Sequence, residues 1–256
     1  IPTNNPMTSS DSFFAIISDI HANIDALDAV LADIETFPVR GTLCLGDIVG
    51  YGPEPASCVQ RVMDTCAVTV IGNHEAMSFL PKKILKTDWD ISIRQPLQLA
   101  NEQLSKAQKT WLRNQPLTAH VDPITLSHAS LHEPPEFNYI HDDADAESHF
   151  AAQSTFISFN GHSHVPAIWE EDEHTRRCLK PDTKPIQLDA KKRYTVNVGS
   201  VGQPRDDDHR ACYALYDYEK RLLIHRRVPY DIAQAQERFE KAGLPAYNAR
   251  RIARGR

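Results

Sequence analysis

The stretch Phe13-Phe14-Ala15-Ile16-Ile17-Ser18-Asp19-Ile20-His21-Ala22-Asn23-Ile24-Asp25-Ala26-Leu27 decides the fold class. Residues 13–18 (FFAIIS) form a short continuous apolar run, which suits a buried strand. Asn23 then stands as an N-cap to a helix over residues 24–36, where Ile24, Leu27, Leu31 and Ile34 recur at helical spacing. Residues 41–45 (GTLCL) read as a second strand, followed by a Gly- and Pro-rich loop from Gly46 to Pro55. Residues 56–66 read as a helix with Val59, Val62 and Met63 on one face, and residues 67–71 (AVTVI) as a third strand. Strand, helix, strand, helix, strand is the signature of an α/β sheet.

Outward from this core the pattern weakens. Residues 75–116 carry no strong strand; residues 89–104 and 105–114 read as a helical insertion that would roof a site at the strand ends. Residues 124–127 and 156–160 are further short apolar runs, with a helix over 144–153 between them. Residues 165–169, 194–197, 211–217 and 221–228 read as antiparallel strands, and residues 231–243 as an amphipathic helix stopped by Gly243 and Pro245. The expected organisation is a tag or disordered N-terminus over residues 1–12, one domain over 13–245, and a basic, solvated C-terminal tail over 246–256.

Composition narrows the class. The chain has 256 residues, 41% hydrophobic and 24% charged, which suits one folded domain with a substantial core and argues against disorder. No apolar run reaches the length of a membrane span. The net charge of -6 disfavours a nucleic-acid partner, which would usually require a basic protein. Cys44, Cys58, Cys66, Cys178 and Cys212 form no CxxC pair, and one is left over in any pairing scheme. Free buried thiols and a cytoplasmic location are therefore expected.

The informative feature is where His, Asp and Asn fall. The first strand runs into Asp19 and His21, the second into Asp47, and the third into Asn73, His74 and Glu75. A later strand runs into His128 and the next into His162 and His164. Ligands of open α/β sheets bind beyond the carboxyl ends of strands, so these groups are expected to converge. Imidazole suits zinc, iron, nickel and copper, whereas carboxylate and amide oxygens suit harder ions such as manganese. No cysteine stands at these strand ends, which argues against a thiolate zinc site. So many N and O donors suit two ions sharing a bridging carboxylate, an arrangement that clamps the attacking and leaving oxygens of an in-line displacement. An isolated GNH or GHSH would be read as a loop with useful turn chemistry; the joint pattern favours metal.

The ordered series Asp19-Ile20-His21, Gly46-Asp47, Gly72-Asn73-His74-Glu75, Ser127-His128 and Gly161-His162-Ser163-His164 resembles the calcineurin-like metallophosphoesterase superfamily, and Asn197-Val198-Gly199-Ser200-Val201 extends the likeness. The resemblance implies a four-layer α/β sandwich of two mixed β-sheets flanked by helices, here with a helical insertion. It implies Asp19, His21 and His164 on a first metal and Asn73, His128 and His162 on a second. Asp47 would bridge the two together with a water or hydroxide, the bridging hydroxide serving as nucleophile. His74 would match the family's non-ligand histidine, which stabilises the transition state or protonates the leaving oxygen. The implied cofactors are two divalent transition-metal ions: manganese, iron, zinc or nickel. The implied reaction is hydrolysis of a phosphodiester or phosphomonoester in a small molecule or nucleotide; the alternative is a non-catalytic interaction scaffold of the same fold.

Two departures stand out. Glu75 occupies a position that is commonly Asp in the family. Gly46-Asp47-Ile48-Val49-Gly50-Tyr51-Gly52-Pro53 lacks the Asp-Arg-Gly of the phosphoprotein phosphatase and diadenosine-tetraphosphate hydrolase branches, and resembles the small bacterial phosphodiesterase-type branch instead. Near the expected ligands, Arg205, Tyr51 and His132 are candidates for substrate contact. For Arg205 the competing expectation is a surface ion pair with Asp206, Asp207 or Asp208.

Overall fold

The computed structural model describes residues 12–79 and 90–256. In chain order it contains β1 (Phe13–Ile17), α1 (Ile24–Ile34), β2 (Val39–Cys44), α2 (Pro55–Thr65), β3 (Cys66–Thr69) and α3 (Asn73–Phe79). Next come α4 (Ile91–Gln103), α5 (Lys106–Arg113), β4 (Thr118–Val121), β5 (Ile124–Ser127), α6 (Asp143–Ala152) and β6 (Ile157–Asn160). The remainder is β7 (Ala167–Glu171), β8 (Arg176–Leu179), β9 (Ile186–Gln187), β10 (Arg193–Asn197), β11 (Ala211–Asp217), β12 (Leu222–Val228), α7 (Ile232–Lys241) and α8 (Ala246–Arg254).

The strands form two mixed six-stranded sheets, ordered β3-β2-β1-β11-β12-β9 and β4-β5-β6-β10-β7-β8. β1 shows why its sequence is apolar throughout. Successive strand side chains point to opposite faces. Phe14 and Ile16 pack between the sheets with Leu126, Phe159, Val196 and Tyr216, while Ala15 and Ile17 pack outward against Leu27, Val30, Val59 and Val62 of α1 and α2. Both faces are covered, so no polar alternation appears. α1 starts where expected, with the Asn23 side chain accepting the Ala26 N–H.

The topology sets the site. β1, β2 and β3 are mutually parallel, as are β5, β6 and β10. Their carboxyl ends therefore emerge at one edge of each sheet.

Two expectations need correction. The later strands are not all antiparallel: β10 pairs parallel with β6 as well as antiparallel with β7. The helical insertion buries Leu97, Ala100, Leu104 and Leu112 in the core that contains α2. Residues 250–256 are not a solvated tail. Most of them belong to α8, where Ala249 and Ile252 pack against Phe239 of α7, and Gly255 ends the helix in left-handed conformation. The expectation for residues 1–12 falls, except for Ser12, outside the described residues, as does Trp89 at the start of the predicted insertion.

Candidate metal centre

The loops that leave the strands are held in unusual backbone conformations. Asp19, His21, Asp47, His162 and His164 all have positive φ, between 49° and 67°. Non-glycine residues adopt this region at a cost and persist there only when their surroundings determine it. Cross-loop hydrogen bonds do so. His21 N–H donates to Asp47 O (2.9 Å), Ala22 N–H to Ile48 O (2.8 Å) and Gly202 N–H to Asp19 O (2.9 Å). Ser200 Oγ donates to Asp19 O at 2.7 Å, and Asn197 Nδ2 donates to Gly161 O at 2.5 Å. The Asn197-to-Ser200 segment thus pins the loops carrying Asp19 and His162. Gly161 is required by close approach, because a Cβ there would run into the Asp19 carboxylate.

The structure brings all the expected ligand residues together. Asp19, His21 and His164 form one group, Asp47, His128 and His162 another, and His21, Asp47 and His74 a third that overlaps the first two, all buried. In the first, His164 Nε2 lies 3.3 Å and His21 Nε2 3.8 Å from Asp19 Oδ1, which is buried without a hydrogen-bond partner. In the second, His128 Nε2 lies 3.2 Å from His162 Nδ1 and 3.1 Å from Asn73 Oδ1. Asp47 Oδ2 stands between the groups, 3.7 Å from His21 Nε2 and 3.4 Å from His128 Nε2. First-row ions hold such atoms at about 2.0–2.2 Å, so neighbouring ligand atoms stand roughly 3–3.5 Å apart. The donor set fits a pair of metal ions in both type and spacing.

Tautomers sharpen this point. His21 Nδ1 faces Val49 O (3.1 Å), His164 Nδ1 faces Gln203 O (2.7 Å) and His128 Nδ1 faces Leu45 O (2.8 Å). Each Nδ1 must donate, and in His21 and His164, whose protonated forms burial disfavours, this leaves the Nε2 lone pair pointing inward, the arrangement typical of a metal-ligating histidine. His21 Nε2 and His164 Nε2 then face each other as two acceptors only 3.0 Å apart. A cation between them removes that repulsion.

Burial and neighbouring imidazoles hold His162 down to about 3, and burial with His164 and His74 holds His21 well below its ordinary value. Burial pulls His128 down too, but Asp47 and Asp19 outweigh it and push His128 up to about 9. Burial raises Asp19 and Asp47; the surrounding histidines outweigh it and hold both carboxyls below their usual range.

His74 is buried beside these groups. Its Nε2 is 4.0 Å from Asp47 Oδ2, its ring packs 4.8 Å from His21 and 4.7 Å from Tyr51, and burial holds it down to about 4. Unlike those of His21, His128 and His164, its Nδ1 has no hydrogen-bond partner. Glu75 does not touch the His74 ring through any hydrogen bond. Instead its two oxygens accept four backbone N–H groups: Asp47 at 2.8 Å, Gly72 at 3.0 Å, Ile48 at 2.7 Å and Val49 at 2.9 Å. Burial and Asp47 push this carboxyl up to about 7. The four donors occupy its lone pairs and oppose a proton there. Glu75 therefore clamps the Asp47 loop to the Asn73 loop, a role that residue type alone did not reveal.

Among the substrate candidates, Tyr51 packs 4.7 Å from His21, with Arg205 Cζ 5.6 Å from its ring centre. The competing expectation for Arg205 fails: Asp206 pairs with Arg227, Asp207 with Arg256 and Asp208 with Arg210. The structure does not bring His132 to the cluster; its side chain is half-exposed and faces Glu133 at 3.8 Å. Two neighbours escaped the sequence reading. Tyr139 stacks on His162 at 4.0 Å, from a loop without periodicity, and Arg251 lies over Tyr51 from the supposed tail.

Comparison with known proteins agrees with this architecture. Residues 13–221 match the profile of the calcineurin-like phosphoesterase superfamily domain. An uncharacterized protein of Methanocaldococcus jannaschii, MJ0912, is 33% identical, over 96% of this chain and 99% of that protein. The crystal structure of a metallophosphoesterase from Sphaerobacter thermophilus superposes with a TM-score of 0.86 at 35% identity, covering 96% of this chain and 99% of the other. A symmetrical bis(5'-nucleosyl)-tetraphosphatase of Vibrio campbellii is 27% identical over 61% of this chain and 59% of its own length. The matched residues span both sheets and all five ligand-bearing strand ends, and the chain belongs to the calcineurin-like phosphoesterase superfamily.

Proposed function

We propose that this chain is a phosphoester hydrolase dependent on two divalent transition-metal ions, acting on a nucleotide or another small phosphate ester. The facing lone pairs of His21 and His164, 3.0 Å apart, carry the metal reading. Asp19, His21 and His164 would hold one ion, Asn73, His128 and His162 the other, with Asp47 shared. Manganese, iron, zinc and nickel all suit this donor set. When bound, such ions supply Lewis-acid polarisation of phosphoryl oxygens and a nucleophile at neutral pH.

The chain's own groups do the rest. His74 is assigned to the substrate rather than to a metal because its Nδ1 lacks the backbone acceptor that fixes three of the ligand histidines. Its Nε2 faces the cluster, where it would either stabilise the charge developing on the phosphoryl oxygens or protonate the leaving oxygen. Asp47 Oδ1 accepts the backbone N–H of His74 at 2.8 Å, so the bridge also fixes the backbone that carries the catalytic imidazole. Arg205 contributes a guanidinium that no acidic side chain occupies, a group suited to phosphate oxygens. The five cysteines are unpaired, which supports a reducing cytoplasmic setting; no described helix is long and apolar enough to cross a membrane.

The test is elemental analysis after manganese loading, combined with a panel of bis-p-nitrophenyl phosphate, p-nitrophenyl phosphate, 2′,3′-cyclic nucleotides and dinucleoside polyphosphates. Two bound equivalents and turnover of at least one ester are expected. Saturation at one equivalent, or no turnover on any ester, overturns the reading.

A further inference from the structure

Arg205 and Arg251 come from distant parts of the chain yet settle on one ring. Arg205 Cζ lies 5.6 Å and Arg251 Cζ 5.9 Å from the centre of Tyr51. The same ring packs 4.7 Å from both His21 and His74. Like charges brought together repel, and burial makes the repulsion worse. Burial and Arg205 accordingly hold the Arg251 guanidinium below its ordinary value. Among the described residues neither arginine is paired with an Asp or Glu side chain. Arg205 donates to Gln203 Oε1 (2.9 Å) and Arg251 Nε to Arg256 O (2.6 Å), while the Arg205 Nε is buried with no acceptor.

The arrangement is built into the fold. Asn248, fully buried on α8, donates to Tyr51 O (3.0 Å) and to Ser92 O (2.9 Å). Ala249 and Ile252 fix the helix in the core. Arg251 is thereby carried to Tyr51. A cavity of about 300 Å³ continues outward from it, lined by Tyr247, Arg250, Arg251, Arg254 and Arg256. Arg251 Cζ also lies 5.5 Å from the half-exposed Tyr247 ring. Two guanidiniums flanking one ring with no acidic side chain paired to either, one of them lining a basic cavity, are a site for an anion with several oxygens.

We infer that Arg205 and Arg251 form a subsite for a second phosphate of the substrate, next to the phosphate at the histidine cluster. The inference rests on the phosphoesterase reading and narrows it to esters carrying a pyrophosphate linkage, such as nucleoside polyphosphates. The measurement is calorimetric binding of AMP and of ADP to the manganese-loaded 256-residue chain. Guanidinium contacts to phosphate make ADP bind about tenfold more tightly than AMP, and Arg251→Gln removes most of that ratio. Arg251→Lys, which keeps the charge without the planar fork, retains part of it. An ADP-to-AMP ratio near one in the unaltered chain, or a ratio that Arg251→Gln leaves in place, overturns the subsite. Pyrophosphate titrated into chelator-treated protein separates this from the metal reading. Affinity that falls in Arg251→Gln there supports the subsite even if no ester is turned over. Equal affinity in both proteins counts against it even if the esters are hydrolysed.

Discussion

Replacing Glu75 by Gln tests how the two metal-bearing loops are joined. Each carboxylate oxygen accepts two backbone N–H groups at 2.7–3.0 Å. In Glu75→Gln one oxygen becomes an NH2 group, and whichever way the amide turns, two buried N–H groups face a donor. An orphaned buried donor costs about 1–3 kcal/mol, so the substitution costs about 2–6 kcal/mol, before the weaker acceptance by the remaining neutral oxygen is counted. Against a typical domain stability of about 5–15 kcal/mol this is a large loss. Glu75→Asp keeps the charge but withdraws it by one methylene from donors already at contact distance, so it is also destabilising. The assay is urea unfolding in the presence of chelator, so that metal binding adds nothing to the folded state. A lowered midpoint with unchanged slope is expected for both variants. If the buried carboxyl were instead protonated at neutral pH, Gln would imitate it and the cost would nearly vanish. A loss below about 0.5 kcal/mol, the scale of an ordinary surface substitution, refutes the clamp.

Three further outcomes follow from the same geometry. Asp47→Asn should lose bound metal and hydrolysis together; retention of two ions by elemental analysis with normal turnover would show that Asp47 is no bridge. His74→Asn should lower kcat by about 10²–10⁴ with metal content kept, less for p-nitrophenolate than for an alkyl or nucleoside leaving group; loss of an ion would instead make His74 a ligand. His149 accepts the Leu131 N–H (3.0 Å) on Nδ1, lies 2.8 Å from Ser158 Oγ through Nε2, and is held by burial down to about 4. Unfolded histidine titrates near pH 6.5, so between these values the unfolded chain binds more protons. Its contribution is fully present above about pH 6.5 and falls by about 3 kcal/mol as pH drops toward 4. Urea midpoints across that window should decline more steeply for the unaltered chain than for His149→Gln; identical slopes exclude His149 as the source.

The first half of the fold was legible because each signal there is local. β1 is a continuous apolar run, α1 carries its own cap at Asn23, and the ligands sit immediately after the strands that aim them. Tertiary partners decide the rest. β4 and β8 read poorly because their pattern is set by neighbouring strands and partial burial rather than by their own composition. α8 resembled a charged tail because its anchors are Ala249, Ile252 and the polar Asn248, whose value lies in two carbonyls far away in sequence. Glu75 was visible as a departure from a familiar motif, but its purpose depends on N–H groups of another loop. Distance to the cluster, invisible in sequence, separates Tyr51 from His132.

Each proposed ion position draws on both sheets. Asp19, His21, Asp47 and Asn73 follow β1, β2 and β3, while His128, His162 and His164 follow β5 and β6. The apolar layer between the sheets is held by non-directional packing, which resists separation better than sliding. Directional bonds from both sheets to the same pair of ions act like a rivet through two plates. Under load, the filled protein would resist shear at this edge more than the same edge held by side-chain packing.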